Sequence, residues 1–159
     1  MKSPHHLEYI NTFNKVFPDT RVIWTHRSTI QSVPSFLSML FYSRSMFTDR
    51  VDKVDIKTHW LNKLTDMLYT GLKFRRELPE QIIDVTFSKF MQDTNEVIAG
   101  IARKHPIKLD GLSPEQTNSK EKYMSSHNYN LEDWGLTEDD LKRRFSAYED
   151  LVSKLEKSR

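Results

Sequence analysis

The sequence predicts an α/β fold, rich in helices and with a small parallel sheet, that forms a single partial domain over residues 1–159. Two short runs, 21–25 and 81–87, are apolar and rich in β-branched residues, as buried strands are. Helical periodicity precedes, separates and follows these runs. Since right-handed crossovers connect strands in such an order, the two strands are predicted to be parallel. The alternative is an α-helical domain with two short strands.

The first half of the chain contains three predicted helices. Ser3 and Pro4 form an N-cap and first-turn pair that opens a helix over residues 4–17. A second helix is predicted over 30–42, where Pro34 either bends it or lies near its first turn. The third, over 55–78, carries a long apolar stripe and ends at a proline.

Helices also follow the second predicted strand. One is expected over Thr94–Lys104, and a capping box at 113–116 predicts that a short helix opens there. Residues 117–130 are polar and irregular, which is typical of a loop. A final helix begins at Thr137 and has an acidic first turn, which suits the helix dipole. The chain shows no repeat, low-complexity segment or domain boundary.

Composition excludes several function classes. The net charge of +2, from 24 basic and 22 acidic side chains, argues against a nucleic-acid partner. The absence of cysteine excludes disulfides and thiolate sites. No run of residues reaches the roughly 18 apolar residues of a membrane span, and the first residues do not form a secretory signal. We therefore expect a cytoplasmic protein without a membrane span.

One predicted anion site lies where the first strand ends. Arg27 follows that strand, just before a helix whose N-terminal amides attract anions. Ser35 lies eight residues later, about two helical turns away. A guanidinium fork, a hydroxyl and a helix N-terminus together suit a phosphate. The alternative is that Arg27 is an ordinary surface or helix-contact residue.

A second set of candidates lies at the N-terminus. Lys2 precedes the first helix and could stabilise charge on a leaving group, while His5 or His6 could accept a proton from an attacking hydroxyl. Adjacent histidines on a helix point about 100° apart and no third ligand is evident, so no metal site is predicted. Lys120 and Lys122, in the polar loop, could close over a phosphate. The alternative is that one histidine is solvated while the other packs, and that the lysines of the polar loop are solvated.

Five segments in this order resemble successive motifs of the bacterial-type and invertebrate sulfotransferases that use 3′-phosphoadenosine 5′-phosphosulfate (PAPS). The resemblance covers nearly the whole chain. The segments are KSPHHL (2–7), FPDTRVIWTHR (17–27), VPSF (33–36), IDVTFSKFMQD (83–93) and HNYNLEDWGL (127–136).

The resemblance implies a P-loop-like, three-layer sulfotransferase fold that moves a sulfuryl group from PAPS to an acceptor hydroxyl or amine. It implies that Arg27 and Ser35 grip the 3′-phosphate of the nucleotide co-substrate, with Lys120 and Lys122 near the same phosphate. It also implies a catalytic role for Lys2 and for a base at His5 or His6. No metal is required if lysines and backbone amides supply the positive charge.

The sequence departs from the family at its start, because the family's first strand and its glycine- and serine-rich loop precede the lysine motif. We therefore expect an incomplete fold and a truncated chain of doubtful activity; the apolar fraction of 37% is low for a complete domain. Exposed sheet faces would favour an oligomer. The alternatives are a non-catalytic nucleotide-binding or protein-interaction remnant, and a helical interaction module without nucleotide. The acceptor is left open.

Overall fold

The computed structural model describes residues 4–104 and 129–158. Seven α-helices and two strands occur within these ranges, with short 3₁₀ turns at Pro4–Leu7, Pro79–Gln81 and Glu132–Trp134. In chain order they are α1 (Ile10–Val16), β1 (Val22–His26), α2 (Thr29–Ser45), α3 (Lys53–Glu77), β2 (Ile82–Thr86), α4 (Phe87–Gln92), α5 (Thr94–Lys104), α6 (Glu138–Arg144) and α7 (Ser146–Lys157).

The two strands form a parallel sheet, as the sequence predicts. Val22 pairs with Ile82 and His26 with Thr86, so both strands end at the same edge. α2 and α3 lie between them in sequence and form the crossover. The predicted α/β class, helix-rich and with a small parallel sheet, is therefore confirmed.

Two apolar clusters form the core of the described structure. The first is built by α2, α3 and α6 and includes Leu37, Ile56 and Leu141, all fully buried. The second lies against β1 and includes Trp24, Phe74 and Val152. α3 is 25 residues long and contributes to both clusters, which makes it the central helix of the described structure.

A glycine allows α3 to approach β1. A Cβ atom built on Gly71 would lie 2.8 Å from the indole of Trp24 and 3.0 Å from the Leu7 side chain. These separations are too short for ordinary contacts, so the close packing of α3 on β1 requires glycine at this position.

Helix starts follow familiar capping chemistry. Asp52 accepts hydrogen bonds from the backbone of Val54, at 2.6 Å, and Asp55 at the start of α3. Thr137 and Asp140 form a reciprocal capping box at α6. These side chains satisfy amides that have no partner within their helix. Among the described helices, none is long and apolar enough to cross a membrane.

Two predicted helices are interrupted. The helix predicted over 4–17 is a 3₁₀ turn followed by α1, with Tyr9 outside helical geometry between them. The final helix is divided at Phe145 into α6 and α7. The second break lies where the chain passes from the first cluster, which contains Leu141 and Phe145, to the second, which contains Tyr148 and Val152. These four positions have the spacing of one helix face, so their pattern alone predicts a continuous helix.

Three short segments relate to the sequence prediction in different ways. The helix α4 was not predicted; it begins where the hydroxyl of Thr86 accepts from the amide of Lys89 at 3.4 Å. Pro34 lies inside α2 without ending it. The helix predicted to open at 113–116 lies outside the described residues, as does most of the predicted loop 117–130.

Candidate functional site

The shared edge of the two strands places Arg27 beside Phe87. His26 and Thr86 are register partners, so the residues that follow them leave the sheet side by side. The Arg27 guanidinium lies 4.7 Å from the centre of the Phe87 ring, and its Nε donates to the Gln31 side chain at 3.2 Å. Both contacts restrain a side chain that is otherwise exposed to solvent.

The backbone of Arg27 is held from the other side by α7. The Tyr148 hydroxyl lies 3.4 Å from both the amide nitrogen and the carbonyl oxygen of Arg27. Burial raises the pKa of Tyr148 to about 12, so the hydroxyl keeps its proton at neutral pH and can donate to that carbonyl. The position of Arg27 therefore depends on α7 as well as on the sheet.

A carboxylate of the chain occupies the N-terminus of α2. Glu149 Oε1 accepts hydrogen bonds from the amide and the hydroxyl of Thr29, each at 2.6 Å, and Oε2 accepts from the Ser28 hydroxyl at 3.0 Å. Sequence analysis predicts a phosphate at this helix terminus, but the Thr29 amide there is already bonded to a carboxylate of the chain itself. That anion is a side chain 120 residues away, which no local sequence signal identifies.

Beneath the edge, an ion-pair network fixes the strands to α3. His26 is 1% exposed, and its Nε2 lies 2.9 Å from Asp84 Oδ1. Arg75 donates to the other oxygen of Asp84 from Nε at 2.8 Å and from its terminal nitrogen at 2.7 Å. Burial by itself raises the pKa of Asp84, but the hydrogen bonds from His26 and Arg75 and the Arg75 charge outweigh it, so this pKa lies below its ordinary value. His26 is therefore a buried structural residue rather than a surface ligand.

A cavity of about 210 Å³ opens next to this edge. It lies between the 3₁₀ turn Pro4–Leu7, helices α2 and α3, and the junction of α6 and α7. Within it the His5 and Trp60 ring centres are 5.9 Å apart, and Phe36 meets Trp60 edge-on at 5.1 Å. Its lining residues are Pro4, His5, Arg27, Thr29, Ser32, Val33, Phe36, Trp60, Leu64, Met67, Leu68, Phe145 and Tyr148.

The structure therefore brings together two of the sequence-predicted site residues, Arg27 and His5, on one cavity. His6 packs against Phe13, with ring centres 6.4 Å apart. Ser35 is half-buried on α2 and is not among the described residues that line the cavity, whereas Ser32, one turn earlier, is.

Three predicted site residues, Lys2, Lys120 and Lys122, lie outside the described ranges. The sequence analysis missed the aromatic wall of the cavity, because Phe36 and Trp60 stand on apolar stripes that look like ordinary core positions. Within residues 4–104 and 129–158, no group of three or more His, Asp or Glu side chains is placed to hold a metal ion.

Comparison with known proteins agrees with this architecture. A family model described as the sulfotransferase family matches residues 1–111, about two thirds of the chain. A search of curated proteins finds no match.

Among solved structures, the chain is similar to the crystal structure of sulfotransferase STF9 from Mycobacterium avium, with a TM-score of 0.77 and 23% sequence identity. The match covers 95% of this chain and 41% of that protein, so the chain spans about two fifths of the length of that structure. At this identity the likeness concerns the fold. The family match over most of the sequence carries the assignment, and the chain belongs to the sulfotransferase family.

Proposed function

We propose that this protein transfers a sulfuryl group from PAPS to an acceptor hydroxyl or amine. The observation that carries the proposal is the meeting of Arg27 and His5 on one cavity at the carboxyl edge of a parallel sheet. Ligands of open α/β folds bind at this edge. The family membership supports the reaction class.

Arg27 is the residue assigned to the 3′-phosphate of the nucleotide. Its guanidinium is exposed and restrained by Phe87 and Gln31, and a guanidinium fork matches phosphate oxygens. The amide of Thr29 already donates to Glu149, so the charge of Arg27 rather than the helix terminus attracts the phosphate. Ser35 is assigned to the same phosphate, and the described geometry fits Arg27 better than Ser35.

Three lysines are assigned to supply positive charge around the phosphate and sulfate oxygens of PAPS. Lys2 is assigned to the charge that develops on the leaving group, and Lys120 and Lys122 to the region of the 3′-phosphate. A charged group fixed near a developing negative charge lowers the barrier without a metal ion.

His5 is assigned as the base rather than His6, because His5 lines the cavity and His6 packs against Phe13. PAPS supplies an activated sulfuryl group, whose bond to the 5′-phosphate oxygen breaks as a bond from the acceptor oxygen to sulfur forms. His5 accepts the proton that the acceptor hydroxyl loses. The products are the sulfate ester, adenosine 3′,5′-bisphosphate and protonated histidine.

The experiment is transfer of labelled sulfate from PAPS to an acceptor such as 4-methylphenol by the purified chain. We expect His5→Ala to lower kcat by about 10²-fold or more, the contribution typical of a general base, and His6→Ala to leave it within a few-fold. Arg27→Ala should raise the KM for PAPS. Equal losses in both histidine variants, or an unchanged KM for PAPS in Arg27→Ala, would contradict the proposal.

A further inference from the structure

The turn that carries Arg27 is held from the C-terminal helix. This connecting turn, residues 27–29, leads from β1 into α2, and each of its three residues contacts a side chain of α7. We propose that Tyr148 and Glu149 are positioning residues that fix the connecting turn, so that discrimination between nucleotides with and without a 3′-phosphate depends on α7. The inference rests on the proposed function, because it concerns how the phosphate-binding arginine of the same site is held.

Glu149 makes the shortest of these contacts. Its Oε1 accepts from both the amide and the hydroxyl of Thr29 at 2.6 Å, and its Oε2 accepts from the Ser28 hydroxyl at 3.0 Å. Hydrogen bonds to a charged group are stronger than those between neutral groups. Because Thr29 is 3% exposed, loss of the carboxylate leaves donors that water does not readily reach. The carboxylate therefore fixes the end of the connecting turn that enters α2.

Tyr148 holds the other end of the connecting turn. Its hydroxyl lies 3.4 Å from both the amide nitrogen and the carbonyl oxygen of Arg27, and one hydroxyl can accept from the first and donate to the second. The Tyr148 ring is buried and packs against Trp24 and His26, with ring centres 5.9 and 5.7 Å away. Since the ring is held in the core, its hydroxyl is a fixed partner for the backbone of Arg27.

The two side chains act together because Tyr148 and Glu149 are neighbours on one helix. α7 is anchored by Val152, which is buried in the second apolar cluster. A displacement of the connecting turn must therefore break the contacts of both side chains or pull α7 from that cluster. Both residues lie outside the segment 1–111 that the family model matches. The matched segment thus does not contain the side chains that hold its own arginine.

Phosphate recognition by Arg27 is sensitive to where its backbone lies. Phe87 and Gln31 restrain the guanidinium, at 4.7 Å from the ring centre and 3.2 Å from the amide oxygen, but both act at the far end of the side chain. A binding group has to be held within about 0.5 Å and 10–20° of its productive geometry. Loosening the connecting turn should therefore weaken the contact with the 3′-phosphate and spare the rest of the nucleotide.

The test is calorimetric titration of the purified chain with adenosine 3′,5′-bisphosphate and with adenosine 5′-monophosphate. The ratio of the two dissociation constants isolates the contribution of the 3′-phosphate. Glu149→Ala should lower the preference for the bisphosphate about tenfold, the effect of losing a hydrogen bond to a charged group. Tyr148→Phe keeps the ring and removes only the hydroxyl, so it should lower the preference about threefold.

A conservative variant separates position from charge. Glu149→Gln removes the same negative charge as Glu149→Ala, but its amide oxygen can still accept from the Thr29 amide and hydroxyl. It should therefore keep most of the preference for the bisphosphate. Equal ratios in the alanine and glutamine variants would show that Glu149 acts through its charge, and would overturn its role in positioning.

Val152→Ala is the control for a purely structural role of α7. It removes buried volume from the same helix and should lower the melting temperature, but it leaves every contact of the connecting turn in place. The nucleotide preference should be unchanged. An equal fall of the preference in Val152→Ala, or a preference retained in both Glu149→Ala and Tyr148→Phe, would overturn the proposal. Thermal melts without nucleotide show which variants are folded, and Tyr148→Phe decides if Glu149→Ala is not.

A measurement without nucleotide separates this inference from the proposed function. The order parameter of the Arg27 amide, from nitrogen-15 relaxation, should be near the value of about 0.85 that marks a rigid backbone. It should fall in Tyr148→Phe and Glu149→Ala but not in Val152→Ala. If it falls while the wild-type chain binds both nucleotides equally or neither, the proposed function is refuted and the positioning of Arg27 stands. An order parameter unchanged in all variants would refute the positioning, whatever the nucleotide affinities.

Discussion

Removal of the Glu149 carboxylate should destabilise the fold more than any other single change at the surface of the site. Glu149→Ala removes three hydrogen bonds at the N-terminus of α2, two of them to Thr29, which is 3% exposed. Ser28 remains the N-cap of α2 through its bond from the Ile30 amide, so the cost comes from the unpaired Thr29 amide and hydroxyl, at about 1–3 kcal/mol for each buried group. We expect a loss of about 3 kcal/mol in the free energy of unfolding, since these contributions overlap.

The assay is thermal unfolding followed by circular dichroism. For a chain of this size about 3 kcal/mol corresponds to a melting temperature lower by about 9 °C. Asp150→Ala is the matched control, because it removes the same charge from the exposed neighbouring position on α7, and it should stay within about 0.5 kcal/mol of the wild type. Equal melting temperatures for the two variants would show that the Glu149 contacts do not stabilise α2, and would refute the reasoning.

Two further predictions follow from the core and the sheet. Gly71→Ala should lower the free energy of unfolding by about 1–3 kcal/mol because its Cβ meets Trp24. Gly100→Ala, whose Cβ would lie in ordinary contact with the Arg103 side chain at 3.9 Å, should raise it by about 0.5–1 kcal/mol. Denaturant midpoints of the two variants measure both changes. The pKa of Asp84 is lower in the folded protein than in the unfolded chain, where it is near 4. The ionised Asp84 carboxylate therefore stabilises the fold at pH values above the unfolded pKa, and this stabilisation is lost as the pH falls through the folded pKa. Asp84→Asn should therefore be less stable at pH 7, and its deficit should shrink below about pH 4; a deficit independent of pH would contradict the assignment.

The sheet and the edge that carries Arg27 were predictable because their signals are local. The runs around Ile23 and Ile83 have the length and β-branched content of buried strands, and parallel pairing then places Arg27 at the carboxyl edge, where open α/β sheets in general bind ligands. Each of the four strand ends differs from the prediction by one residue, as expected for boundaries read from sequence.

The missed features depend on contacts between distant segments. The break at Phe145 lies where the chain passes from one cluster to the other, and no glycine or proline marks it. The capping of α2 by Glu149 joins positions 120 residues apart. The aromatic wall of Phe36 and Trp60 likewise forms only when α2 packs on α3. Periodicity places such residues on a buried face but does not say what they meet there.

The central claim, that Arg27 recognises the 3′-phosphate of a sulfuryl-donor nucleotide, is tested most directly by the melting temperature with adenosine 3′,5′-bisphosphate and with adenosine 5′-monophosphate. At a hundredfold excess over Kd the bisphosphate should stabilise the chain by about 2.7 kcal/mol, or about 8 °C, and the monophosphate should do much less. Arg27→Ala should abolish this difference, whereas Arg21→Ala, at the opposite end of β1 and bonded to the Glu80 carbonyl, should preserve it. Equal shifts with both nucleotides, or a difference that survives in Arg27→Ala, would contradict the account.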